Sequence, residues 1–191
     1  SFVAPGTFEE NRFEKLHNIS FESPEAGSIA VADEICELIR SKQKKNEMCV
    51  LGLATGSSPI SVYKKLIESH KKKKLSFRNV ITFNLDEYFG LEKIDINSYH
   101  QFMHDNLFNH IDILPKNIHI PKGKLQSSQV INYCKDYEEK IYKAGGIDLQ
   151  ILGIGRTGHI GFNEPGSNIN SQTRLVTCLL YTSDAADEHG C

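Results

Sequence analysis

Met48-Cys-Val-Leu-Gly-Leu-Ala-Thr-Gly-Ser-Ser-Pro59 decides the fold. Met48 to Ala54 is a short, unbroken apolar run, the pattern of a strand covered on both faces. Thr55-Gly-Ser-Ser-Pro59 then turns the chain, with Ser58 placed to cap a helix and Pro59 to occupy its first position. A helical spacing of apolar residues follows, at Val62, Tyr63, Leu66 and Ile67. Strand, turn and helix in that order are half of a parallel crossover unit.

The unit repeats on both sides. Upstream, Ser23-Pro24-Glu25 starts a helix: serine caps, proline fits the first turn and glutamate suits the positive end. Its apolar face is Ala26, Ile29, Ala30, Ile35, Leu38 and Ile39, and the polar run Ser41 to Glu47 ends it. Downstream, Val80 to Leu85 predicts a second strand, Tyr99 to His110 a helix, and Ile118 to Ile120 a brief third strand. Val130 to Ala144 predicts a helix stopped by Gly145-Gly146, and the β-branched run Ile147 to Ile154 a buried strand. A last strand is expected at Thr173 to Thr177. The alternation predicts an α/β fold: a three-layer, Rossmann-like, open and mostly parallel sheet with helices on both faces. Residues 1–20 lack periodicity and read as an N-terminal extension, 21–177 as the domain, and 178–191 as a tail with neither strand nor helix pattern.

The bulk properties narrow the function. The chain has 191 residues, 39% hydrophobic and 24% charged, which suits one soluble domain with a real core. A net charge of −2 argues against nucleic-acid and membrane surfaces. The Lys71–Lys74 cluster follows a helix, where cations complement the dipole. No apolar run is long enough to span a bilayer. The five cysteines, Cys36, Cys49, Cys134, Cys178 and Cys191, show no metal-ligand spacing. Their odd number and scatter suit free thiols in a reducing cytoplasm.

Three strand ends carry candidate chemistry. Thr55, Gly56, Ser57 and Ser58 offer hydroxyls and N–H groups at a positive helix end, an anion cradle or simply a capped turn. Asn84-Leu-Asp-Glu-Tyr88 puts two acids beyond a buried strand, where open α/β sheets bind ligands. There a desolvated Asp86 is a candidate base, while the bland alternative has Asp86 capping the next turn and Glu87 in water. Gly153-Ile-Gly-Arg-Thr-Gly-His-Ile-Gly-Phe-Asn-Glu-Pro165 holds His159 in a glycine-rich loop with Glu164 five residues on. That pair suits proton handling near neutral pH, or a structural hydrogen bond within the loop. His100 and His104 have the i, i+4 spacing of a metal pair, but no third ligand stands nearby, so no metal is expected.

Together these segments resemble the glucosamine-6-phosphate deaminases. The resemblance rests on Leu51–Pro59, Ser76–Tyr88, Asn97–Met103, Tyr137–Ile141 and Gly153–Pro165, in register from about residue 21 to 177. It implies a cofactor-free conversion of glucosamine 6-phosphate to fructose 6-phosphate and ammonia. Asp86 would move the carbon-bound proton, His159 with Glu164 would open the sugar ring, and Thr55–Ser58 would hold the phosphate. It also implies a homo-oligomer at full length and a possible effector site at Ser167 and Arg174.

This sequence departs from the family at three places. Thr157 stands where an aspartate accompanies the ring-opening histidine; it can still share one hydrogen bond with His159, but a His159–Glu164 pair rather than a three-residue relay is expected to open the ring. Val176 replaces a lysine of the effector site. Residues from Leu179 onward do not resemble the strands and helices with which the family continues and read as a foreign tail on a C-terminally truncated chain, whose sheet should then expose an edge. A 6-phosphogluconolactonase-like hydrolase and a sugar-phosphate-binding regulator without catalysis are the competing readings.

Overall fold

The structure, a computed structural model, describes residues 18–177. Most of the N-terminal extension and all of the tail lie outside the described residues, as do Cys178 and Cys191.

Helix α1 (Pro24–Lys44) starts where the sequence predicts, with the Ser23 hydroxyl accepting from the Ala26 N–H at 3.1 Å. It runs into the polar stretch, with Lys42 and Lys44 on its final turn, and the chain reverses at Asn46, whose φ is 55°. Strand β1 (Cys49–Leu53) is buried at all five positions. Helix α2 (Ser57–Lys71), strand β2 (Val80–Asn84) and helix α3 (Tyr99–Asn106) follow. Next come strand β3 (Ile118–His119), helix α4 (Val130–Lys143) and strand β4 (Leu149–Gln150).

The four strands form one sheet in the order β3-β2-β1-β4, and every pairing is parallel. Strand alternation sorts the core into two layers. Cys49, Leu51, Leu53 and Val80 pack with Ile35, Ile39, Tyr63, Leu66 and Met103 of α1, α2 and α3. Val50 and Phe83 face the other way, onto Tyr137 of α4. Helices therefore cover both faces, and the α/β architecture is as the sequence predicts. The change of face coincides with a change of direction. β1, β2 and β3 step outward one way, and α4 then returns the chain to the far side of β1. The crevice between the carboxyl ends of β1 and β4 is the switch point at which such sheets bind ligands.

Several elements differ from expectation. The run Ile147–Ile154 is no buried strand: only Leu149 and Gln150 pair, opposite Leu51 and Gly52, while Leu152 and Ile154 are 50% and 78% exposed. β4 lies at the margin of the described sheet, and beyond the Ile151 N–H bond to Gly52 the chain leaves the ladder. Thr173–Thr177 is not a strand either. The Thr173 N–H and hydroxyl both donate to Glu138 at 2.7 Å, which ties this segment to α4 instead of a sheet edge. The helix expected to His110 breaks at Leu107 and continues as a 3₁₀ turn, Phe108–His110. Its last carbonyls are claimed by side chains, Phe102 by Asn106 and Asp105 by His110.

The thiols of Cys36 and Cys49 are free and buried, and burial pushes Cys49 up to about 12, which leaves it inert. His100 and His104 stack at 4.6 Å, and the His104 Nδ1 is engaged by Asn109. No helix among the described residues is long and apolar enough to cross a membrane.

Asp112 clips the loop before β2 to the loop before β3. Its carboxylate accepts from the Ser76 hydroxyl at 2.7 Å and the Phe77 N–H at 2.6 Å, with His70 and Arg78 each 3.6 Å away. Burial pushes this carboxyl up, but the Phe77 amide, the Ser76 hydroxyl and the His70 charge together pull it below the usual range. A depressed carboxyl stabilises above its unfolded pKa, about 3.9, and loses that contribution as pH falls through the folded value. Asp112→Ala should therefore cost about 1–3 kcal/mol in urea unfolding at pH 7. The gap from wild type should close in strongly acidic buffer.

Candidate active site

The first wall of the crevice is the turn after β1. Here the structure corrects the expected cap: Gly56, not Ser58, holds the cap position, and Pro59 is the third helical residue instead of the first. Gly56 has φ 100°, a conformation that favours glycine, and it brings the chain into the helix two residues early. No side chain caps this end. Ser57 and Ser58 are exposed beside first-turn N–H groups at the positive end of the α2 dipole. The Tyr63 hydroxyl pins the turn from below by donating to the Ala54 carbonyl.

The second wall is Leu85-Asp86-Glu87-Tyr88. The Leu85 N–H extends the ladder with a bond to the Leu53 carbonyl, so Asp86 is the first residue past the sheet. Burial, aided by the neighbouring Glu87 charge, pushes the Asp86 carboxyl up to about 7. The two acids divide their roles in a way the sequence did not disclose. Glu87, not Asp86, serves the next helix: its carboxylate accepts from the N–H groups of Tyr88, Tyr99 and His100 at 2.9–3.0 Å. The Ser98 hydroxyl accepts from Gln101 alongside it. Glu87 thus neutralises the α3 N-terminus and leaves Asp86 facing the crevice unencumbered by that task.

The third wall is the glycine-rich loop after β4. The Gly155 N–H donates to the His159 carbonyl at 2.9 Å, and a Cβ at Gly155 would fall within the His159 ring. Ile160 and Asn163 then exchange two backbone bonds of 3.0 Å, which closes a tight turn. His159 Nδ1 lies 2.9 Å from the Thr157 hydroxyl, which in turn reaches Glu164 Oε2 at 3.5 Å. The hydrogen bond between Thr157 and His159 is one the sequence allows. The reverse turn at Gly155–Gly158 puts Thr157 and His159 on one side, and the hydroxyl lies between imidazole and carboxylate.

Contacts among the walls bring the three loops to one rim. Gly161, at φ 57°, presses on the second wall so closely that a Cβ there would stand 2.9 Å from Asp86 Oδ2. The Phe162 ring packs on Tyr88 at 5.2 Å and on Tyr99 at 6.0 Å, and those two lie 4.9 Å apart. The Tyr99 hydroxyl interacts with the side chains of Thr55 and Tyr88. Burial, the Tyr88 bond and the Asp86 charge raise the Tyr99 phenol well above its usual range. Thr55, Asp86 and the His159 loop are thus linked through Tyr99 and Phe162. Neither aromatic was singled out by sequence reasoning. Both lie inside the recognisable motifs, but their meeting depends on a strand order that local patterns do not carry.

Ser167 and Arg174, expected at an effector site, are both exposed. The Ser167 hydroxyl donates to the Glu164 carbonyl at 2.7 Å. Arg174 donates to Asn163 Oδ1 and to the Ser171 hydroxyl, each at 2.9 Å, so its guanidinium braces the histidine loop.

Comparison with known proteins agrees with this arrangement. Residues 22–185 match the family of glucosamine-6-phosphate isomerases and 6-phosphogluconolactonases. A glucosamine-6-phosphate deaminase of Thermoanaerobacter sp. is 50% identical over 155 residues, 81% of this chain and 60% of the relative. That of Oceanobacillus iheyensis is 57% identical over 136 residues, 71% of this chain and 54% of the relative. Among solved structures, a monomeric glucosamine-6-phosphate deaminase superposes with a TM-score of 0.76 at 43% identity. The match covers 82% of this chain and 63% of that one. The chain thus spans 60% or less of the length of these two curated relatives. On the family match and these identities, the chain belongs to the glucosamine-6-phosphate isomerase/6-phosphogluconolactonase family.

Proposed function

We propose that the protein is a glucosamine-6-phosphate deaminase, which converts glucosamine 6-phosphate and water to fructose 6-phosphate and ammonia. The observation that carries this reading is the desolvated Asp86 carboxyl, held near neutrality under the histidine loop. A proton on carbon is a weak acid, and a carboxylate tuned toward the operating pH is the matched base for it. A lactone hydrolase needs only an activated water and has no use for a second, buried carboxylate base.

In this reading the Thr55–Ser58 turn receives the substrate phosphate on hydroxyls and helix N–H groups. His159 takes the proton of the sugar's C1 hydroxyl and returns it to the ring oxygen as the ring opens. Asp86 then carries a proton from C2 to C1, and water displaces the amine as ammonia. Every step is a proton transfer or a hydrolysis, so the residues named suffice for the chemistry. In the full-length protein, ammonia release from glucosamine 6-phosphate, followed by an enzyme-coupled assay, should be stoichiometric with fructose 6-phosphate. Hydrolysis of a 6-phosphogluconolactone without ammonia release would replace this reading with the lactonase.

A further inference from the structure

We infer that Asn84 is a positioning residue for Asp86: its buried carboxamide stands unpaired in the resting site and donates to the aspartate once that carboxylate ionises. The inference deepens the deaminase reading and rests on it for the identity of the reaction, though not for the pairing itself.

Strand β2 sets the two residues in line. Val80 packs with side chains of α1, α2 and α3, whereas Phe83 faces α4. Alternation therefore turns Thr82 and Asn84 to the face of Val80. The bond from the Leu85 N–H to the Leu53 carbonyl carries the strand one residue past Asn84, so Asp86 comes next on that face. Two residues of strand advance about 6.6–6.8 Å, a gap that two short side chains close with one hydrogen bond of about 2.9 Å.

The Asn84 amide has no structural task. The residue is 2% exposed, and neither its Oδ1 nor its Nδ2 has a partner among the described residues. The strand end is held by the backbone instead, where the Asn84 carbonyl accepts from the Tyr137 hydroxyl at 2.8 Å. A buried amide without a hydrogen bond destabilises a fold, and a leucine, with the same branching, would not. Packing thus gives no reason for a polar side chain at this position, but the base above it does. Asp86 must ionise before it can take a proton from carbon, and both burial and the Glu87 charge oppose that step. Among the described residues no donor is bonded to its carboxylate. A donor that engages only the charged form offsets part of that opposition. The other titratable groups that feel the Asp86 charge are Tyr99 of α3 and Tyr137 of α4, two phenols that burial keeps neutral. The Tyr137 hydroxyl is committed to the carbonyls of Asn84 and His119, and the Tyr99 hydroxyl interacts with Thr55 and Tyr88. The histidine loop meets Asp86 through Gly161, which has no side chain to offer. Asn84 Nδ2 is the donor left unspent.

The test uses the full-length protein and its Asn84→Leu, Asn84→Val and Thr82→Val variants. Carbon-13 NMR follows the Asp86 carboxyl through a pH titration, which needs no turnover. In N84L and N84V the midpoint should rise by about one pH unit. The kcat/KM for ammonia release at pH 7 should fall about fivefold with it, as the ionised fraction shrinks. Valine, smaller than leucine, reports the same loss where leucine packs badly. T82V is the control: it removes a hydroxyl that is equally buried and unpaired but lies four residues from Asp86, and it should leave the midpoint in place. At pH 5, with Asp86 protonated, N84L and T82V should both melt a few degrees above wild type, since each deletes an unpaired polar group. A carboxyl raised in the folded state loses its stabilising contribution as pH rises through the folded value. The N84L gain should therefore shrink at pH 9, where the ionised Asp86 lacks its donor, while the T82V gain persists. An unmoved midpoint in N84L and N84V overturns the inference. A midpoint that moves as far in T82V overturns it too, because the effect is then one of general polarity. A wild-type protein that releases no ammonia, with the midpoint still raised in N84L, would sink the deaminase reading and leave the pairing of Asn84 with Asp86 standing.

Discussion

Asp86→Asn should abolish turnover and at the same time make the protein more stable above neutral pH. The loss of activity is the loss of a base: proton transfer by a positioned side chain contributes on the order of 10²–10⁴-fold, and asparagine has no basicity to replace it. The gain in stability follows from the same burial. The Asp86 carboxyl sits at about 7 in the folded state, against roughly 3.9 in an unfolded chain. With the folded value raised, the stabilising contribution is complete below about pH 4 and is lost as pH rises through about 7. At pH 8 the ionised wild-type side chain therefore carries a penalty on the order of a few kcal/mol, and the neutral amide does not. Thermal melts at pH 8 should place D86N above wild type, and melts at pH 4 should bring the two together. The wild-type kcat/KM should also fall on the acid side of about pH 7, as Asp86 takes up its proton. An active D86N would remove the carbon-acid step from the mechanism. An unstabilised D86N at pH 8 would mean the carboxylate is better hydrated than its surroundings imply.

Gly161→Ala should damage catalysis far more than it damages the fold. An added Cβ would stand 2.6 Å from the Leu85 Cδ2 and 2.9 Å from Asp86 Oδ2, well inside contact distance. Position 161 also has φ 57°, where a non-glycine residue costs about 1–2 kcal/mol. Either the aspartate swings away or the histidine loop lifts off. Both outcomes separate base from imidazole, and a misplacement of about 1 Å can cost about 10²-fold in rate. The expected signature is a loss of kcat of that order with only a modest fall in melting temperature, because Gly161 lies outside both core clusters. Unimpaired turnover in G161A would show that the loop need not rest on Asp86 for catalysis.

Much of this site could be read before any coordinates, for reasons that differ from residue to residue. Apolar runs and cap residues announce β1, β2 and α1 because burial on both faces and N-terminal orphan donors each leave a local signature. Asp86 was legible because carboxyl ends of parallel strands are where ligands gather. The role of Glu87 was not legible, since a carboxylate that caps a helix twelve residues away, at Tyr99, leaves no mark in its own neighbourhood. Ser58 looked like a cap because serine before proline usually is one, but Gly56 reached the cap conformation first. The Ile147–Ile154 run looked like a core strand because apolar composition signals burial only where another element arrives to provide it. The hydrogen bond between Thr157 and His159 was open to sequence reading, because the two stand two residues apart in one loop, but its length and its company are a matter of geometry.

The brevity of β4 gives the crevice an unequal mechanical footing. Asp86 stands on β2, which is locked to β1 through five register positions, whereas the histidine loop departs from a strand joined at two. Asp148 adds to that anchor, accepting from the Val50 N–H at 2.9 Å and pairing with Lys42 at 2.7 Å. A thin attachment of this kind opens at lower free energy than the rest of a fold. The imidazole half of the crevice thus rests on a thinner hydrogen-bonded footing than the carboxylate half.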